Sequence, residues 1–261
     1  MTLELTGERT LPGIPEENYW FRRHVAAYRF AAFLLGGPRA FRRRPAFRRG
    51  ALDPPNPPQT TIRPLILDVG SGEGYGTAIL GHRAAVIGLE LDPESIAHAS
   101  GRYSAPLVRA DACRLPVGSQ SLDGIIAIQV LEHLHCADGF VRACREALRP
   151  GGLLLLATPN RNTFPAGENP SHVHEFTPGE LTGLLEAHFA DVRLLGLGHR
   201  SFLHALDRTL GEPIQHRLSR VPYPTLPRWL RAVLRTVRAW DFRIGNDVDG
   251  SLDLIGVCRR T

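Results

Sequence analysis

The sequence predicts an α/β fold: a doubly wound, largely parallel sheet, a helical cap ahead of it and an insertion before its last strand. Three observations carry this. An apolar run ending in an acid enters a glycine-rich turn, ILDVGSGEGYGT at residues 66–77. A second apolar run, AVIGLE at 85–90, ends in a carboxylate about 20 residues beyond that turn, the spacing of nucleotide-binding βαβ units. Two later runs, LDGIIAIQVL at 122–131 and LLLLATPN at 153–160, are nearly all apolar, as parallel strands covered on both faces are.

The turn comes first. Only glycine lets the backbone pass close to a ligand, and the helix N-terminus behind the turn offers free N–H groups. A dinucleotide fingerprint would need G-x-G-x-x-G. Counted from Gly70 its third glycine falls on Tyr75, and counted from Gly72 it falls on Thr77, so neither register fits. The pattern is D-x-G-x-G-x-G instead. The second strand closes on Glu90, and Asp92 before Pro93 reads as the N-cap of the next helix. VRADACRLP at 108–116 supplies a third strand with Asp111 at its end, where an aspartate is otherwise a turn former. The fourth strand runs into Glu132 and His133. LRPGG at 148–152 reads as a helix stop and turn before the fifth strand.

These landmarks, in this order between residues 64 and 160, resemble the class I S-adenosylmethionine (SAM) methyltransferases, of the type 11/23 kind. The resemblance implies a seven-stranded Rossmann-like sheet with SAM as cofactor. It implies that Asp68, Gly70, Ser71, Gly72 and Gly74 form the cofactor turn, that Glu90 accepts from the ribose hydroxyls, and that Asp111 accepts from the adenine amino group. Leu91 and Ala112, next to those acids, and Gln129 complete the expected cofactor-binding set.

The segment leaving the fourth strand bears on the acceptor. The N-P-P-[YF] of amine and amide methyltransferases acting on nucleobases is missing, as is the Pro-Cys nucleophile of pyrimidine C5 enzymes. A histidine beside a carboxylate suits removal of a hydroxyl proton, because its ordinary pKa lies near working pH. His133 and Glu132 are the expected catalytic residues. Ubiquinone-pathway O-methyltransferases and small-RNA 3′-terminal methyltransferases are similar here: they carry E-x-x-E-H, and the RNA enzymes add a later histidine, together holding a divalent ion. Glu132, His133 and His172 match that pattern, while Gln129 stands where the first glutamate would be and brings no charge. The resemblance thus implies a metal such as Mg at Glu132, His133 and His172; the alternative is His133 as a metal-free base with His172 as a pocket donor. His174 and Glu175 have no counterpart and read as capping the next helix.

Both chain ends narrow the resemblance. TGERT at 6–10, NYWFRRH at 18–24 and DVDGSLDL at 247–254 are similar to actinobacterial O-methyltransferases, some associated with methylated polysaccharide synthesis. The implied reaction is methyl transfer to a hydroxyl of a sugar, polysaccharide or small metabolite. An RNA terminal-ribose methyltransferase and a small-molecule C- or N-methyltransferase are the alternatives. Asp247 and Asp249 read as the turn into the last strand.

Composition sets bounds. With 261 residues, 43% hydrophobic, the chain can bury one substantial core with appendages. Residues 1–61 read as a helical cap, with an aromatic face at Tyr19, Trp20 and Phe21, followed by an Arg/Pro-rich linker. The SAM-binding core takes residues 62–198 plus 251–261, and 199–250 reads as a helical insertion that builds the acceptor pocket. No run approaches the roughly 18 apolar residues of a membrane span, and residues 1–9 lack the basic-then-apolar layout of a signal peptide. The four cysteines form no C-x-x-C pair, which suits a reducing cytoplasm and argues against structural zinc. The formal charge of +5 comes without any lysine, a bias that reads as genomic. The arginine cluster at 39–49, interleaved with phenylalanine, reads as a solvated insertion, and nucleic acid as a partner is disfavoured.

Overall fold

The computed structural model describes residues 10–36, 63–164 and 169–261. The arginine cluster at 39–49, the proline-rich linker after it and the expected start of the core at residue 62 lie outside them. Among the described residues the sheet has eight strands, ordered β3-β2-β1-β4-β5-β8-β6-β7. They are β1 (Leu65–Val69), β2 (Ala85–Glu90), β3 (Leu107–Arg109), β4 (Leu122–Ile128), β5 (Leu148–Pro159), β6 (Asp191–His199), β7 (Phe242–Gly245) and β8 (Asp253–Arg259). The first five pair in parallel, and β8 inserts antiparallel between β5 and β6.

The expectation of seven strands is therefore corrected to eight. The extra strand, β7, comes from the stretch read as a helical insertion and pairs antiparallel with β6. Four residues with one alternating stretch, FRIG, are too short to stand out in a sequence. The turn expected at residues 148–152 also differs, since β5 begins at Leu148 and runs through it. Gly151 takes a left-handed φ of 79°, its N–H donates to the Arg260 carbonyl, and Arg260 N–H donates back to the Gly152 carbonyl at 3.0 Å. The Arg-Pro-Gly-Gly stretch is thus an irregularity held inside the sheet.

Strand period explains the two-sided core. Ile66, Ile126, Leu153, Leu155 and Val257 face one layer, while Leu67, Ile125, Leu154, Leu156 and Cys258 face the other. Each fully buried leucine or isoleucine contributes about 1.5–3 kcal/mol. The second layer is closed by α4 (Ala137–Ala147) and α5 (Pro178–Glu186), through Phe140, Val141, Cys144, Leu181 and Leu185. The first is closed by α1 (Asn18–Leu34), α2 (Tyr75–Gly81) and the helices α6 (Ser201–Leu210), α7 (Ile214–Arg220) and α8 (Arg228–Thr236). The remaining helix, α3 (Pro93–Arg102), follows β2. It starts where its sequence signals, with the Asp92 carboxylate accepting from Ser95 N–H at 2.7 Å and proline in the first turn.

Helix α1 lies across α2. The Tyr28 ring occupies the space a side chain at Gly76 would need, and the Phe21 and Tyr75 rings meet edge to face at 4.9 Å between centroids. Tyr19 and Phe21 are buried, so they pack as expected. No helix among the described residues is long and apolar enough to cross a membrane.

Candidate active site

The parallel strands β1, β2 and β4 all end at one edge, and the chain segments leaving them lie side by side around the open space at Gly72, the crevice of the site. Gly70, Gly72 and Gly74 have φ of 65°, 50° and 83°, the left-handed region that glycine enters without steric cost. A Cβ on Gly74 would sit 2.8 Å from the Ala99 Cβ, and Val130 fills the space beside Gly70. A Cβ on Gly72 would meet nothing within 4 Å, so the turn opens there. The Ser71 hydroxyl beneath it is buried without a hydrogen-bond partner.

Glu90 ties the second strand to this turn. Its Oε2 accepts from Gly72 N–H at 2.9 Å, and its Oε1 accepts from Leu91 and Asp92 N–H at 2.8 and 2.9 Å. A carboxylate offers about four acceptor positions, so one remains for a ligand hydroxyl rather than the two expected. Asp111 is exposed and caps the single helical turn Ala112–Arg114, accepting from Cys113 N–H at 2.8 Å. Its other oxygen is left for a ligand. Leu91 is 59% exposed beside it.

Asp68 is placed differently from expectation. It is wholly buried, and its oxygens accept from Thr77 Oγ1 at 2.6 Å and Tyr28 Oη at 3.1 Å. It braces the turn from behind instead of lining the crevice. Burial, only partly offset by those two donors, pushes its pKa up to about 7.

On the other side of the turn the chain leaving β4 carries the second half of the site. Gln129 has a left-handed φ of 55°, an uncommon conformation for a residue with a side chain. The next turn, Leu131–His133, brings Glu132, His133 and His172 together, with one ligand-type atom from each lying within 4.8 Å of the others. Backbone pairing explains the approach: Val173 and His174 N–H both donate to the Glu132 carbonyl, at 2.7 and 3.2 Å. Glu132 itself is fully buried. Its Oε2 accepts from Thr158 Oγ1 at 2.9 Å, whereas Oε1 is buried without a hydrogen-bond partner. Burial raises its pKa, against the pull of His133 and His172.

The tautomers are set by the partners. His133 Nδ1 faces the Ser171 carbonyl at 3.1 Å, which can only accept, so Nδ1 carries the proton and Nε2 keeps its lone pair. His172 Nδ1 donates to Glu175 at 2.7 Å, and its Nε2 accepts from Asn169 Nδ2 at 3.0 Å. Glu175 is thus a buried partner of His172 and not a helix cap. The cap of α5 is Thr177, whose hydroxyl accepts from Glu180 N–H at 3.2 Å.

Several neighbours carry weak sequence signals. Asn160 is fully buried and donates through Nδ2 to the carbonyls of Val248 and Ser251, fixing the turn that holds Asp247 and Asp249. Arg23 and Asp253 stand in the NYWFRRH and DVDGSLDL stretches, and nothing in the sequence says that they meet. They form a buried ion pair beside Gln129. Cys113 and Cys136 are joined in a disulfide across 23 positions, linking the loop after β3 to the loop after His133. That corrects the reading of all cysteines as reduced and removes their support for a reducing compartment. Only Cys144 and Cys258 are free, and both are buried.

Residues 67–156 match the methyltransferase domain family. A probable SAM-dependent methyltransferase of Mycolicibacterium smegmatis is 37% identical over 274 aligned residues, covering 99% of this chain and 95% of the relative. The chain belongs to the SAM-dependent methyltransferases. Its fold is shared with a crystallised SAM-dependent methyltransferase of Thermotoga maritima, at a TM-score of 0.59, 13% identity and 93% coverage of both chains. A ubiquinone biosynthesis O-methyltransferase of Idiomarina loihiensis is 35% identical over 107 residues, 37% of this chain and 43% of that one. For this methyltransferase the open turn at Gly72, the unpartnered Ser71 hydroxyl and the acid at the end of β2 fit an adenosine-bearing cofactor.

Proposed function

We propose that this enzyme methylates a hydroxyl of a sugar, polysaccharide or small metabolite, with His133 as the base. The supporting observation is the His133 tautomer, held by the Ser171 carbonyl so that Nε2 is free to take a proton. Glu90 holds the ribose, Asp111 the adenine amino group, and the Gly70, Gly72 and Gly74 turn lets the cofactor lie against backbone. Bound SAM supplies an electrophilic methyl group. His133 Nε2 would take the proton that the acceptor hydroxyl gives up on methylation. Glu132 holds the loop that carries His133, its carbonyl accepting from Val173 and His174 N–H and its carboxyl from Thr158. The stretch shared with ubiquinone biosynthesis O-methyltransferases supports a hydroxyl, and the resemblance at the chain ends supports a sugar.

A second reading adds a divalent ion at Glu132, His133 and His172. The buried, unpartnered Glu132 Oε1 favours it, as does the Glu175 carboxylate behind His172, an arrangement common behind metal-bound histidines. Such an ion would supply Lewis acidity to the acceptor oxygen, but Asn169 would first have to leave His172 Nε2. One carboxylate and two imidazoles suit a transition metal better than Mg.

The test is mass spectrometry of lysate fractions fed with methyl-labelled SAM and enzyme. A labelled methyl ether on a saccharide or small molecule is expected, absent with His133→Ala although that variant still binds SAM. Label on RNA, on nitrogen or on carbon would overturn the hydroxyl reading. Activity unchanged in excess EDTA would eliminate the metal.

A further inference from the structure

We infer that the buried Arg23–Asp253 ion pair is a positioning device for the amino-acid half of the cofactor, acting through Gln129. This rests on the reading above that Glu90 and Asp111 hold the adenosine half. With adenosine on the β2 and β3 side of the Gly72 turn, the rest of the cofactor extends across β1 toward β4, whose exit is Gln129.

Gln129 is built as a fixed part. Its left-handed backbone is held by its own N–H donating to the Ala157 carbonyl at 2.8 Å, and its Nε2 donates to Asp253 Oδ1 at 3.2 Å. A carboxylate only accepts, so the amide NH2 must turn toward Asp253. The carboxamide oxygen is then the end left for a ligand, and Gln129 is half-buried at the exit of β4. An acceptor there matches the α-ammonium of a methionine-type ligand.

Asp253 is held just as firmly. Its Oδ2 accepts from Arg23 Nε at 2.6 Å, and its Oδ1 from Arg23 Nη2. The same guanidinium donates to Gln215 Oε1 and the Leu252 carbonyl, both at 3.0 Å, and lies over the Trp20 ring. Arg23 and Asp253 are 2% and 1% exposed, so water does not compete for either. Cap, insertion, last strand and β4 thereby converge on one ion pair.

The test compares two ligands by calorimetry: S-adenosylhomocysteine, and methylthioadenosine, which keeps the adenosine and lacks the amino-acid group. Removing one member of a buried pair would leave a bare charge and endanger folding. The variants are therefore the double change R23M/D253L, which removes both charges together, and Gln129→Met. Each is expected to weaken S-adenosylhomocysteine on the order of tenfold, the value of a hydrogen bond to a charged group, and to leave methylthioadenosine within about twofold. Equal weakening of both ligands would mean a merely structural pair, and no weakening of either would mean no role; both overturn the inference. Glu90→Gln separates the underlying reading, since it must weaken methylthioadenosine in the wild-type background.

Discussion

At the scale of single residues, the turn makes two sharp predictions. Gly72→Val places a β-branched side chain at φ 50°, in the open space of the crevice. The loss of cofactor binding should be complete by calorimetry, and the strained backbone should add about 1–2 kcal/mol of instability. Normal SAM affinity in this variant would remove the turn from the cofactor site. Asp68 carries a pH dependence. Its folded pKa lies near 7, above the ordinary value of 3.8, because burial disfavours the charge. The folded state therefore binds more protons than the unfolded one between those values. Its contribution is fully present below about pH 4 and is lost as pH rises toward 7. Asp68→Asn keeps an acceptor for Thr77 and cannot ionise. Relative to wild type it should gain stability from about pH 4 to 7 and level off above that in urea unfolding, and a pH-independent difference would show that Asp68 does not titrate there.

At the scale of elements, legibility tracked period and punctuation. The strands β1, β2 and β4, the Asp92 cap and the glycine turn each carry a local signal, so they sit where the sequence places them. Pairings between distant residues carry none. Glu175 meets His172 within three positions and could have been suspected, but Cys113 and Cys136 meet only because the loops after β3 and β4 converge. Their disulfide closes the chain around β4, and loop closure of this length stabilises by about 3 kcal/mol in the chain-entropy account. Cys113 is exposed, so a thiol reductant can reach it. Reduction, or Cys113→Ser with Cys136→Ser, should lower the melting temperature by several degrees and loosen the loops bearing Asp111 and His133. An unchanged melting temperature after confirmed reduction would show that the bridge contributes nothing to stability.

At the scale of the whole molecule, the appended parts are clamped to the core by buried polar groups that no periodicity announces. Arg23 reaches Asp253 across 230 positions, and Asn18 Nδ2 donates to the Leu234 and Val237 carbonyls at 2.8 and 3.1 Å. The third clamp is Tyr19, His199 and Asp207. Asp207 Oδ2 accepts from His199 Nδ1–H at 2.6 Å, leaving Nε2 to accept from the Tyr19 hydroxyl at 2.7 Å. Burial lowers the His199 pKa, so this neutral tautomer persists. One chain thus joins α1, the end of β6 and α6, and cap, core and insertion should unfold together. The three tryptophans, Trp20, Trp229 and Trp240, all lie outside the sheet, in the cap and the insertion. Tryptophan fluorescence therefore reports the appendages, while hydrogen exchange of the β1, β4 and β5 amides, pulsed at each denaturant concentration, reports the core. In denaturant the two transitions should coincide for the wild type. His199→Ala leaves the Tyr19 hydroxyl without its partner, takes one of the donors from Asp207, which keeps Ile214 N–H, and opens a cavity, at a cost of about 2–4 kcal/mol, and should let the fluorescence transition run ahead. Separate transitions already in the wild type would mean that the clamps do not couple the parts.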